Sequence, residues 1–303
     1  MSTEVKTVLI TDLDDTLWDW LNIWHSSFRP MFEEILRVTG VPEDEMISVV
    51  KSIHEKRGTS EYTFLLEDIE AHYGGSTDVD TIRKKYDAAL HAFRRGRKGA
   101  QKLFPGVETT LQHIKKCGAR IVAYTESQAY ATIQRLKAFE LDGVFDFLYS
   151  PGDHDYPQGV DLSKVRSLAT SNYELQRTVH HHTPPGELKP NPGILQSIIT
   201  DAGASKDDCI YVGDKLVKDV KMARDAGVLD AWAKYGSKIH TAEYDFLKRV
   251  THWTPKAVAQ EATTKAVGGA LTSTREEDVP VTITLNDGFA DLLDHVRFER
   301  FHA

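Results

Sequence analysis

Acidic side chains recur where short apolar runs of this chain end. Val8-Leu9-Ile10 leads into Thr11-Asp12-Leu13-Asp14-Asp15-Thr16. Ile121-Val122-Ala123-Tyr124 leads into Thr125 and Glu126. Cys209-Ile210-Tyr211-Val212 leads into Gly213-Asp214, with Asp219 five positions on. Lys189 stands just before Pro190 and a helical pattern that starts at Pro192. Clustered carboxylates repel one another, so a hard cation is expected among them. Mg²⁺ takes one or two carboxylates and fills its octahedron with waters and phosphate oxygens. A hydroxyl and an ammonium can hold and neutralise phosphoryl oxygens. One carboxylate can act as a nucleophile, and another nearby as general acid and base. The set suits phosphoryl transfer.

These residues need elements that bring them to one place. The apolar runs read as buried strands. The segments between them read as helices: Val107 to Cys117, Ser127 to Phe139, Pro192 to Ala202 and Leu216 to Ala226. Val144 to Tyr149 and Val228 to Ala233 read as two more strands. Strands alternating with helices imply parallel βαβ units, and parallel sheets place ligand sites at the carboxyl ends of their strands. Asp12, Asp14, Thr125, Asp214 and Asp219 would then share one edge, with Lys189 beside them.

Residues 20 to 97 carry no strand signal. Leu21, Trp24, Phe28, Met31, Phe32, Ile35 and Leu36 recur at helical spacing, with a kink or break expected at Pro30. Three further stripes follow: Met46 to Ile53, Tyr62 to Tyr73, and Val79 to Phe93 with Gly96 as its stop. The expectation is a Rossmann-like parallel α/β core, residues 1–18 and 99–303, with an inserted all-helical unit at 19–98. Pro280 to Ile283 reads as a late strand and Phe289 to Val296 as a terminal helix. Residues 151–188 and 236–278 read as irregular and polar.

Composition narrows the function further. The net charge of −8 disfavours a nucleic-acid or anionic-membrane binder, which carries a basic footprint. No apolar run approaches the roughly 20 residues that span a bilayer. Two cysteines, Cys117 and Cys209, cannot make a disulfide framework and read as free thiols in apolar segments. The expected setting is cytoplasmic.

Four of these motifs, in this order, resemble the haloacid dehalogenase-like hydrolases. Asp12-Leu13-Asp14-Asp15-Thr16-Leu17 is similar to motif one, Tyr124-Thr125 to motif two, and Lys189-Pro190 with Pro192 to motif three. Val212-Gly213-Asp214-Lys215-Leu216 with Asp219 is similar to motif four. The helical insert is similar to a C1-type cap. The resemblance implies Asp12 as nucleophile and metal ligand. It implies Asp14 as general acid and base, its main-chain carbonyl also on the metal. Thr125 and Lys189 would bind the phosphoryl group, and Asp214 would anchor Mg²⁺. Asp219 would be a further acidic partner, of the metal or of Lys189. An acid at position 14 favours phosphate esters over carbon–halogen bonds, because halide needs no protonation. Motif two commonly carries Asn where this chain has Glu126. Glu126 therefore stands as a substrate contact that selects the leaving group, or as a side chain turned away.

The reading is a Mg²⁺-dependent phosphatase of a small phosphate ester. Phosphomutase or phosphonate chemistry on the same site, a protein phosphatase and a non-enzymatic scaffold stand as alternatives. Lys164 competes with Lys189 but lacks the following proline. His180-His181-His182 reads as a polar loop rather than a metal site. Arg94, Arg95, Arg97 and Lys98 read as a solvated basic face, and Trp18, Trp20 and Trp24 as core packing. Glu61 and Tyr62 are candidates for a loop facing the site. The substrate and the oligomeric state stay open at this level.

Overall fold

A computed structural model describes residues 4–153, 156–157, 161–165, 168–237, 241–253 and 279–302. The chain opens with β1 (Glu4–Lys6) and β2 (Val8–Thr11). Five helices follow: α1 (Trp20–Thr39), α2 (Glu43–Arg57), α3 (Leu65–His72), α4 (Val79–Lys85) and α5 (Asp87–Ala100). Alternation then begins with α6 (Val107–Cys117), β3 (Arg120–Tyr124), α7 (Ala129–Ala138), β4 (Phe147–Ser150), α8 (Leu162–Val165) and β5 (Val179–His182). It continues through α9 (Pro192–Asp201), β6 (Cys209–Gly213), a π-helical turn (Leu216–Lys221) and α10 (Met222–Asp225). The last elements are β7 (Leu229–Ala233), α11 (Thr241–Val250), β8 (Ile283–Leu285), α12 (Leu292–His295) and β9 (Val296–Phe298).

Seven strands form one parallel sheet in the order β5-β4-β3-β2-β6-β7-β8, and β1 pairs with β9 apart from it. The fold is α/β, as the alternating pattern predicts. Fully buried strands carry apolar residues on both faces. Leu9, Ile121 and Ile210 pack on one side with Leu111 and Ile114 of α6 and Leu136 of α7. Val8, Ile10, Val122 and Tyr211 pack on the other with Leu195 and Ile198 of α9. Full burial of each such aliphatic side chain stabilises by roughly 1.5–3 kcal/mol relative to exposure.

β2 lies between β3 and β6, with Thr11 level with Ala123 and Val212. The strand order reverses there, which opens a crevice at the carboxyl ends of β2, β3 and β6. That register brings three of the four motifs together. No helix of the described residues is long and apolar enough to cross a membrane.

The helical segment forms its own cluster, with Trp24, Phe28, Phe32, Val50, Leu66, Ile69 and Tyr86 at its centre. Several details differ from the pattern read from sequence. α1 runs unbroken through Pro30. Gly96 does not stop a helix but lies inside α5, where it packs on α1. The Val79–Phe93 stripe is split at Tyr86 into α4 and α5. His180, His181 and His182 belong to the edge strand β5 rather than to a loop, because Phe147 to Ser150 offer it a parallel partner. Thr241–Val250, expected in an irregular region beside the sheet, is helical. Its Tyr244, Phe246, Leu247 and Val250 join the helical cluster, so that layer is wider than residues 19–98. Residues 238–240 and 254–278 of the expected polar segment lie outside the described residues.

Candidate active site

Asp12 directly follows β2, and its amide donates to the Val212 carbonyl across the β2–β6 crevice (2.8 Å). The Lys189 ammonium lies 2.8 Å from Asp12 Oδ1 and 2.9 Å from Asp219 Oδ1. All three residues are buried. The Tyr211 hydroxyl donates to Asp219 Oδ1 (2.9 Å), and the Lys215 amide donates to Asp219 Oδ2 (3.0 Å). Asp219 is carried by the π-helical turn that follows β6; single π turns are frequent at functional sites. Gly213 makes room for it: a Cβ at 213 would fall 2.4 Å from Asp219 Cγ.

Asp214 is also buried, and Lys215 Nζ pairs with its Oδ2 at 2.7 Å. One carboxylate oxygen each from Asp12, Asp214 and Asp219 lie within 4.8 Å of one another. This is the metal-capable acidic cluster of the described residues. Burial raises the Asp12 carboxyl well above the ordinary carboxylate range; Lys189 opposes this, while Asp219 and Asp214 add to it. Burial, reinforced by Asp15 and Asp219 and opposed by Lys215, pushes Asp214 up to about 7. Burial works against the charged Lys189, but Asp12 and Asp219 outweigh it and hold the ammonium well above its ordinary value. Among the described residues, the four carboxylates of Asp12, Asp15, Asp214 and Asp219 thus share only two ammoniums, Lys189 and Lys215. That is the electrostatic signature of a cation site, and hard carboxylate oxygens suit Mg²⁺.

Asp14 sits one turn on. The Trp18 indole Nε1 donates to its Oδ1 (2.6 Å), and the Ser127 hydroxyl donates to its Oδ2. Arg135 of α7 reaches Oδ1 with Nη1 at 3.3 Å. Arg135 Nη2 pairs with Glu61 Oε1, from the loop between α2 and α3. Thr125 is buried at the end of β3, its Oγ1 accepting from the Ser127 amide (3.1 Å). Glu126 accepts from the Lys189 amide (2.9 Å) and from Lys218 Nζ (2.8 Å), so its carboxylate braces the Lys189 loop against the turn after β6. Lys189-Pro190 is a cis peptide.

The structure thus brings Asp12, Lys189, Asp214 and Asp219 into one buried group, with Asp14, Thr125 and Glu126 around it. Lys164 is elsewhere, exposed and paired with Asp78 and Asp80. Arg94, Arg95 and Lys98 are exposed, whereas Arg97 is half-buried over the Phe93 ring. Trp24 packs in the helical cluster, and Trp18 is a fully buried residue that also holds Asp14. Tyr62 is buried beneath the Arg57 guanidinium.

Sequence reasoning missed Arg135, Ser127, Tyr211 and Lys215. One signal for Arg135 was available. It falls among Thr132, Ile133 and Leu136, the core-facing positions of α7, where an unpaired arginine is costly. Its partners Asp14 and Glu61 are 121 and 74 positions away, beyond any local pattern.

The sequence profile of the haloacid dehalogenase-like hydrolases matches residues 6–227. A glyceraldehyde 3-phosphate phosphatase of Pyrococcus furiosus is 22% identical over 235 residues, covering 76% of this chain and 81% of that protein. One of the same name from Methanopyrus kandleri is 24% identical over 239 residues, covering 77% and 85%. Among solved structures, a 2-haloacid dehalogenase of Pseudomonas syringae pv. Tomato DC3000 superposes with a TM-score of 0.50 at 18% identity, over 78% of this chain and 90% of that one. A profile match over most of the chain, on a parallel sheet whose strands bring three of the four motifs together, identifies it as a member of the haloacid dehalogenase-like hydrolases.

Proposed function

We propose that the chain is a Mg²⁺-dependent phosphatase of small phosphomonoesters that works through an aspartyl-phosphate on Asp12. The observation that carries this is the buried Asp12–Lys189–Asp219 group beside Asp214, with Asp14 two residues from Asp12. An Asp at position 14 supports ester rather than carbon–halogen cleavage. The phosphatase names of the relatives support the reaction class.

Asp12 attacks phosphorus, so a bond forms from its carboxylate oxygen and the ester P–O bond breaks. Asp14 gives its proton to the leaving oxygen. Its carboxylate then takes a proton from water, whose oxygen attacks phosphorus. The acyl-phosphate bond breaks, and alcohol, phosphate and free Asp12 result. Lys189 neutralises charge on the phosphoryl oxygens, and the Thr125 hydroxyl holds one of them. Asp219 serves as the anchor of Lys189, since its oxygens already accept from Lys189, Tyr211 and the Lys215 amide. Asp12 and Asp214, with the Asp14 main-chain carbonyl, would hold Mg²⁺. When bound, that ion supplies positive charge to the carboxylates and to the transferring phosphoryl group.

Residues 19–98, joined by 241–253, act as the cap over the crevice. A helical layer of that size obstructs a protein substrate, which favours small molecules.

The test is hydrolysis of 4-nitrophenyl phosphate with and without Mg²⁺, by wild type and Asp12→Asn. Metal-dependent turnover abolished by the substitution is expected. Turnover that survives Asp12→Asn would remove Asp12 as the nucleophile.

A further inference from the structure

Arg135 is not part of the four motifs, yet it is a buried guanidinium divided between two carboxylates. It is 5% exposed. Nη1 contacts Asp14 Oδ1 on the sheet side, and Nη2 pairs with Glu61 on the loop of the helical layer. Arginine usually meets one carboxylate bidentately, with two parallel N–H···O bonds. Here the fork is split, so neither acid takes both arms. Arg97 of α5 adds a second cation nearby: burial lowers it, with Tyr130, Arg135 and Glu61 among the charges it senses. Glu61 also lines a narrow cleft of about 10 Å³, room for about one water, with Thr59, Thr63, Gln128, Tyr130 and Asp153. That cleft lies between the 58–64 loop and the start of α7.

We infer that Arg135 is a positioning residue for the general acid, and that Glu61 sets how strongly it holds Asp14. This inference rests on the phosphatase reading. With the 58–64 loop seated, Glu61 takes one arm of Arg135 and leaves Asp14 a single guanidinium contact. Trp18 and Ser127 complete the hold on the carboxyl. If the loop lifts away, the freed arm turns to Asp14, engages it as a full ion pair and withdraws it from proton delivery. Leaving-group protonation is thereby coupled to the seating of the helical layer, through one side chain that touches no substrate.

The experiment compares aryl phosphates of rising leaving-group basicity, from 4-nitrophenyl to unsubstituted phenyl phosphate. A departing 4-nitrophenolate needs little protonation, whereas phenolate needs more. A loss of acid positioning therefore falls on phenyl phosphate. Arg135→Gln is expected to lose about tenfold or more kcat/KM on phenyl phosphate relative to 4-nitrophenyl phosphate, within the range that general acids contribute. Arg135→Lys, which keeps the charge, recovers part of that difference. Glu61→Gln, at a partly exposed position, shifts the same ratio in the same direction with a smaller amplitude. Equal losses on both esters in all three variants would reduce Arg135 to a structural role and overturn the inference while leaving the phosphatase reading intact. If wild type hydrolyses neither ester, or Asp12→Asn still does, the reading itself fails and the inference falls with it.

Discussion

Gly96 of α5 lies against the Ser26 carbonyl of α1. Pro30 has no amide hydrogen, so that carbonyl lacks its usual donor four residues on. A Cβ at position 96 would come 1.8 Å from Ser26 O. The proline that read as a kink or break thus deprives that carbonyl of its donor four residues on, and the glycine that read as a stop packs on it. Gly96→Ala must push the two helices apart. It is expected to cost about 1–3 kcal/mol, despite the intrinsic helix preference for alanine. Gly99, on the same helix with nothing near its would-be Cβ, is the control. Gly99→Ala should raise stability by up to about 1 kcal/mol. Urea unfolding midpoints of the two variants should move in opposite directions.

Lys189 balances two buried carboxylates. Lys189→Met strands Asp12 and Asp219 without their cation, and breaking a buried pair in this way costs about 3–5 kcal/mol. Adding Asp219→Leu removes one stranded charge, so the double variant should recover part of the loss. Chemical denaturation of the two single variants and the double variant measures the coupling. Additive effects would mean that Lys189 and Asp219 do not act as a unit.

His54 binds α11 to α2. Its Nδ1 donates to the Val250 carbonyl (2.7 Å), and burial pushes its pKa down to about 4. An unfolded histidine titrates near 6.5. The unfolded chain therefore binds a proton that the folded chain refuses between pH 6.5 and 4. This contribution is complete above pH 6.5 and is lost as pH falls through that window, by about 3 kcal/mol in all. His180 and His252 are held down to about 4 by burial as well, so they share the window. Unfolding free energies between pH 7 and 5 should fall, with a shallower slope in His54→Leu. An unchanged slope would assign the loss to other groups.

Excess negative charge at the centre predicts stabilisation by a hard cation. Mg²⁺ at 100 times its dissociation constant should add about 2.7 kcal/mol to stability. Thermal unfolding with and without Mg²⁺ reads this directly. Asp214→Asn should remove the shift. Its metal-free form should be no less stable than wild type, because a buried carboxylate repelled by Asp15 and Asp219 is gone. A full Mg²⁺ shift in Asp214→Asn would exclude Asp214 as the anchor.

Glu126 sits where the family commonly has Asn, and its carboxylate spans the Lys189 amide and Lys218 Nζ. Glu126→Gln keeps the first contact and weakens the second. A change in kcat larger than in KM for 4-nitrophenyl phosphate is expected, because the brace acts on Lys189. A change confined to KM would favour a direct substrate contact instead.

Much of the fold was legible in the chain. Alternating apolar runs and helical stripes announced a parallel sheet, since strands buried on both faces must be apolar throughout. The site was legible for a related reason. Strand ends in a parallel sheet share an edge, so Asp12, Thr125 and Asp214 had to meet once β2, β3 and β6 were neighbours. Local sequence also carried the Lys189 motif, through its prolines.

What the chain order could not carry is contact between distant segments. Pro30 and Gly96 were read as interruptions because each is unfavourable for an isolated helix; packing α5 on α1 reverses that. Thr241–Val250 joined the helical layer because Phe246 and Leu247 found apolar partners more than 190 positions away. Asp219 became the anchor of Lys189 only when a π turn moved it under Gly213. Arg135 acquired its place from two carboxylates on distant segments, Asp14 after β2 and Glu61 between α2 and α3. Periodicity reports which face of an element is apolar, and so it determined the layers and the edge where chemistry gathers. Side-chain packing and charge pairing depend on which faces meet, and only the tertiary structure decided that.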